Sequence, residues 1–104
     1  MNSKFEIRKF KEITEISLDS LEKNLFVLGL NHCDKIIIKK PSLEKEEEHV
    51  GIQIIIRNRT IKNLPIVAHN NEKFVSRDIQ PIIKLSPDER VIMIYTGDGY
   101  FEIV

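Results

Sequence analysis

Six basic side chains gather in the middle of the chain: Arg57, Arg59, Lys62, His69, Lys73 and Arg77. An arginine fork pairs with carboxylate or phosphate through parallel N–H bonds, and lysine adds a point charge. Residues 51–84 carry six Lys and Arg against Glu72 and Asp78, a net +4. The stretches before and after carry −1 and −3. Asn58, Thr60, Asn70, Asn71 and Ser76 add hydrogen-bonding groups in the same stretch. This composition points to an anion-binding surface, for a phosphorylated small ligand, a nucleic-acid backbone or an acidic partner. Phe74 is the one aromatic there, which speaks against base stacking on a single strand.

Other constellations fall short of chemistry. His32, Cys33 and Asp34 are adjacent, and neighbours in a strand or turn point apart. With His49 and His69 standing alone, no second ligand pair completes a zinc site. Cys33 beside His32 is the one suggestive nucleophile pair, with no oxyanion loop near it. The acidic run Glu44 to Glu48 lacks the alternating spacing and glycine of a calcium loop. It reads as a solvated loop or a frayed helical turn. Gly97-Asp98-Gly99 is followed by strand residues, so it is a hairpin turn and not a phosphate loop. No cofactor motif and no catalytic constellation is present, and none of these motifs belongs to one family.

The elements that must hold these residues follow from patterning. The chain has 104 residues, 41% hydrophobic and 31% charged, with 16 basic and 16 acidic side chains. One globular domain over 1–104 is expected, and the charge balance excludes a dedicated high-charge binder. One cysteine makes no internal disulfide, so a reducing cytoplasmic setting is expected. Met1 to Glu6 opens no secretory signal. The longest apolar run, Leu25 to Leu30, is too short to span a membrane. Isoleucine occurs 18 times and favours pleated sheet.

Phe5 and Ile7 alternate with polar residues as a strand does. Ser17 predicts a helix N-cap, with Asp19 and Glu22 in the first turn and the helix ending near Asn24. Leu25 to Leu30 and Lys35 to Lys40 have the outline of a hairpin. Val50 to Arg57 alternates cleanly, and Leu64 to Ala68 predicts a short strand. Residues 91–104 predict a terminal hairpin in one of two registers. With Gly97-Asp98 as loop, Ile94 faces Phe101 and Ile92 faces Ile103. With Asp98-Gly99 as loop, Ile94 faces Ile103. The expected fold is α+β: mainly antiparallel sheet of six to eight short strands, one short helix near 17–24, and the 91–104 hairpin.

Apolar residues on both faces of that hairpin exceed what a chain of this size can cover, which predicts a homo-oligomer. The functional expectation is a small, non-enzymatic intracellular regulator or inhibitor that binds a macromolecular partner. The alternative is a binder of a phosphorylated, nucleotide-like ligand or nucleic-acid backbone through residues 57–77.

Overall fold

A computed structural model describes residues 5–70 and 72–104. The chain winds as a coil that visits two facing sheets in turn. The first coil is β1 (Glu6–Phe10) and β2 (Thr14–Ser17), the second β3 (Leu25–Gly29) and β4 (Ile36–Lys39), and the third β5 (Gln53–Asn58) and β6 (Leu64–Ala68). Five further strands follow: β7 (Lys73–Val75), β8 (Ile79–Gln80), β9 (Ile82–Leu85), β10 (Arg90–Gly97) and β11 (Tyr100–Ile103). The larger sheet has the order β1-β3-β5-β10-β11-β7-β8, and the smaller β2-β4-β6-β9.

The fold is α+β and strand-rich, but the sheets are mixed, which corrects the antiparallel expectation. β1, β3 and β5 are mutually parallel, as are β2, β4 and β6; β7 also runs parallel to β11. Antiparallel pairing joins β5 to β10, β10 to β11, β6 to β9 and β7 to β8. Nor do β3 and β4 form a hairpin, because the link after Gly29 carries the chain into the other sheet. Parallel strands usually lie in sheets covered on both faces; here each sheet covers only the inner face of the other, and the outer faces stay open. The molecule measures 37 × 35 × 21 Å, and the short axis fits two sheets about 10 Å apart with their side chains.

The core is a stack of aligned side chains. Ile16, Ile38 and Ala68 form one inward row, and Leu25, Ile54, Met93 and Ile103 another. Most of these residues are fully buried, each worth roughly 1.5–3 kcal/mol for a large aliphatic. At Gly29 the two sheets approach closely. A Cβ there would lie 2.7 Å from Leu64 Cδ2. On the edge strand β1 the inward positions are Phe10, which packs on the core, and Glu6 and Arg8, which pair with each other. Inward charge on an edge strand blunts edge-to-edge pairing.

Two local expectations are corrected. Residues 17–24 make a single 3₁₀ turn at Leu18–Ser20, with no side-chain cap from Ser17. Leu18 and Leu21 are both buried in the core, and the backbone is already extended again at Leu21, with φ −96° and ψ 133°, which stops the helix after one turn. The one α-helical turn, α1 (Glu46–His49), lies in the acidic run. In the terminal hairpin, Gly97 pairs with Tyr100, but a bulge at Thr96 then sets Tyr95 against Phe101 and Met93 against Ile103. Asp98 and Gly99 have φ of 55° and 83°, the left-handed pair that a tight primed turn needs. The bulge sends Val91, Met93 and Tyr95 inward and leaves Ile92 and Ile94 on the outer face. Asn70 is left-handed at φ 53°, and its expected turn partner Asn71 lies outside the described residues, as does Met1 to Lys4.

Candidate binding face and turn-end clefts

The outer face of the seven-stranded sheet is built in rows that cross the strands. Ile7, Phe26, Ile55 and Ile92 share one register line, and Val104 continues it through its N–H bond to the Ile92 carbonyl. This apolar belt is open at both ends, with Ile7 65% and Val104 74% exposed. One pleat period toward the turn end lies the row Lys9, Leu28, Arg57 and Arg90. The next row is Lys11, Leu30 and Arg59. It follows the register of Phe10, Gly29 and Asn58 and is held by the Leu30 N–H to the Phe10 carbonyl and the Arg59 N–H to the Gly29 carbonyl. Five cations therefore share a strip four strands wide, roughly 14 Å at about 4.8 Å per strand.

One carboxylate interrupts the strip. Asp88, held left-handed at φ 68°, lies 3.5 Å from both Arg57 Nη1 and Arg59 Nη1. Arg57 also donates to the Asp88 carbonyl at 3.1 Å. The turn that carries these residues is rigid because Asn58 is wholly buried. Its Nδ2 donates to the carbonyls of Lys62 and Leu85, and its Oδ1 accepts from the N–H and hydroxyl of Thr60.

Around the rim of this end, the links 11–13, 30–35 and 59–63 stack as successive turns of the coil. Lys11, Leu30, Asn31, His32 and Arg59 line an open cleft of about 440 Å³. Asn31, His32, Thr60, Ile61 and Lys62 line a second of about 280 Å³. Neither lining contains a carboxylate. His32 between them has φ of 77°, a left-handed backbone that costs a side-chain-bearing residue energy. Lys62 reaches Asp34 at 2.6 Å.

The six residues singled out from the sequence divide. Arg57, Arg59 and Lys62 meet at the turn end. Lys73 is in register with Tyr100, which pairs with Gly97 at the far end of β10, roughly 23 Å along the strand from Arg90. His69 is also at that far end, 3.9 Å from Glu15 and 3.8 Å from Glu72. Arg77 sits in the turn between β7 and β8 at the sheet's other edge. Sequence reasoning missed Lys9, Lys11 and Arg90. Their signal is positional: Lys11 and Arg59 each directly follow the last residue of a coil's first strand.

The remaining candidates are placed otherwise. Cys33 is buried against the core, and burial pushes its thiol up. His49 is buried with Nδ1 2.7 Å from the Lys45 carbonyl and Nε2 3.1 Å from that of Leu21. Glu46 accepts from the Tyr95 hydroxyl at 2.5 Å and from the Asp98 N–H. Burial, with Glu46 adding to it, pushes the Tyr95 phenol up to about 12. The hydroxyl bond in turn holds Glu46 below the usual carboxylate range. Among the described residues, no three His, Cys, Asp or Glu side chains are grouped to hold a metal, and no helix is long and apolar enough to cross a membrane. Comparison with protein-family models, with curated proteins and with solved structures finds no match.

Proposed function

We propose that the chain is a small, non-enzymatic regulator or inhibitor that acts by docking a macromolecular partner on the outer face of its larger sheet. One observation carries this reading: an apolar belt across four strands and Val104, half-buried at its centre and open at both ends, runs beside a strip of five cations on the outer face. The core does not use these side chains. Apolar area supplies affinity for a protein surface, and the charges set its orientation and choice. The partner that fits is a protein presenting apolar side chains next to carboxylates. The test compares partners captured by the wild-type chain with those captured by Arg57→Glu plus Arg90→Glu at matched thermal stability. Partners held by the first and lost by the second support the reading; the same set on both contradicts it.

A second reading rests on the clefts flanking His32. Lys11 and Arg59 stand on two strands with Leu30 between them, a gap that suits a phosphoryl group of a nucleotide-like ligand. Ligand at 100 times its dissociation constant raises stability by about 2.7 kcal/mol. A thermal-shift series with millimolar nucleotides is expected to raise the melting temperature of the wild type and not of Lys11→Ala plus Arg59→Ala. No shift in the wild type removes this reading. Nucleic-acid backbone binding at the strip would weaken steeply with added salt, and a flat response rejects it.

A further inference from the structure

The two ends of the coil differ in charge. The far end carries the acidic segment, where Leu43 is 90% exposed, the highest value among the described large apolar residues. Glu44, Glu47 and Glu48 are exposed around it, with Lys45 as the one cation among them. The segment is firmly held. Glu46 is committed to the Tyr95 hydroxyl and the Asp98 N–H, His49 is buried between two carbonyls, and the Ser42 N–H donates to Asp19 at 2.9 Å. It presents an exposed apolar side chain in the same short segment as three exposed carboxylates, on a firmly held support.

That is the complement of the outer face, which presents an apolar belt edged by Lys9, Lys11, Arg57, Arg59 and Arg90. We propose that the occupant of this face, when no other partner holds it, is the 43–48 segment of a second copy of the chain. Leu43 of one copy sits at the apolar belt of the next, and Glu44, Glu47 and Glu48 lie over the cation strip. The inference rests on the same outer face as the proposed function and goes beyond it by naming an occupant. Packing the face on its own copy is the poorer solution. It sets five cations against a face whose rows hold only Asp88 and Glu102 as carboxylates. A contact between two different surfaces is heterologous, so it builds a chain or a ring in place of a two-fold dimer. A partner protein must then compete with the second copy's acidic segment.

Light scattering on the full chain tests this. The wild type is expected to gain mass with concentration at low salt and to lose that gain when salt is raised, since exposed charge pairs are screened. Glu47→Lys plus Glu48→Lys changes only exposed side chains and is expected to stay monomeric. Arg57→Glu plus Arg90→Glu is expected to do the same, with Lys9→Glu plus Lys11→Glu as a second variant of the strip. Mixing an acid-reversed with a cation-reversed chain should restore association. A wild type that is monomeric throughout overturns the inference, as does a dimer indifferent to the Glu47 and Glu48 changes. Its failure shows in mass, whereas failure of the docking proposal shows as undiminished partner capture by the strip variant.

Discussion

Arg57 and Arg90 face each other directly across β5 and β10, a like-charged cross-strand pair in register. Like charges at such a position weaken a sheet, and opposite charges strengthen it, by roughly 0.2–1 kcal/mol. Asp88 offsets part of the repulsion by standing 3.5 Å from Arg57. Arg90 has no such carboxylate among the described ion pairs. A sheet selected for stability alone would carry one acid here.

The pair therefore makes an unusual prediction. Arg90→Glu should raise the melting temperature by a few degrees while weakening contact with an acidic partner, because it creates an opposite-charge pair with Arg57. Thermal unfolding followed by circular dichroism measures the first effect. A fall in melting temperature would mean that Arg90 is structural.

Asn58→Ala should be among the most damaging changes. It takes a donor from the buried Leu85 carbonyl and another from the part-buried Lys62 carbonyl, and removes the acceptor of the Thr60 N–H and hydroxyl, at roughly 1–3 kcal/mol for each buried group left unpaired. Urea unfolding should show a loss of about 3 kcal/mol with the slope of the transition unchanged. A loss below about 1 kcal/mol would contradict the account of the turn.

Gly29→Ala places a methyl group 2.7 Å from Leu64 Cδ2, a side chain of the facing sheet. Overpacking of this kind costs about 1–3 kcal/mol. Leu64→Val should recover part of that loss in the double variant, which a double-mutant cycle reads directly. Additive losses would show that the strain lies elsewhere.

Glu72 gives the protein a pH dependence of defined sign. Burial pushes its carboxyl above the ordinary 4.5, against the pull of the Lys40 N–H bond and the nearby charges of His69 and Lys40. The folded state then holds this proton more tightly than the unfolded state. The contribution favours folding below pH 4.5 and is lost as pH rises through the raised value. Glu46 acts oppositely: its lowered value favours folding above 4.5 and is lost as pH falls. Glu72→Gln keeps the acceptor for Lys40 and removes the titration. Its stability relative to wild type should rise as pH increases above 4.5. A constant difference across that range would contradict the assignment.

Strand positions were legible where isoleucine alternates, as at Val50 to Arg57 and in the terminal hairpin. The coil was not. Glu6, Leu25 and Ile54 occupy equivalent places 19 and then 29 residues apart, because the links at both ends of the coil differ in length. No fixed period marks the sequence, so parallel pairing leaves no local signal, unlike a hairpin turn. The helix expected at 17–24 is cut to one 3₁₀ turn because the backbone is extended again at Leu21; the leucine spacing could not tell the two apart, since residues three apart share a face in both. The hairpin follows neither of the two expected registers in full, because a bulge at Thr96 sets Tyr95 against Phe101, their rings tilted by 50° with centroids 4.9 Å apart. Two of the strip's five cations, Arg57 and Arg59, were found by proximity in sequence. Lys9 and Lys11 join it through the register of β1 on β3, and Arg90 through β10 on β5. Only the strand order brings them together.

The central claim is that the outer face of the larger sheet, and not that of the smaller, is the working surface. A matched pair of variants tests it: Phe26→Lys on the apolar belt, and Val67→Lys on the outer face of the four-stranded sheet. The readout is the quantity of partner and of second copy bound by each at equal stability. The account predicts loss for Phe26→Lys and retention for Val67→Lys; loss in Val67→Lys with retention in Phe26→Lys would contradict it.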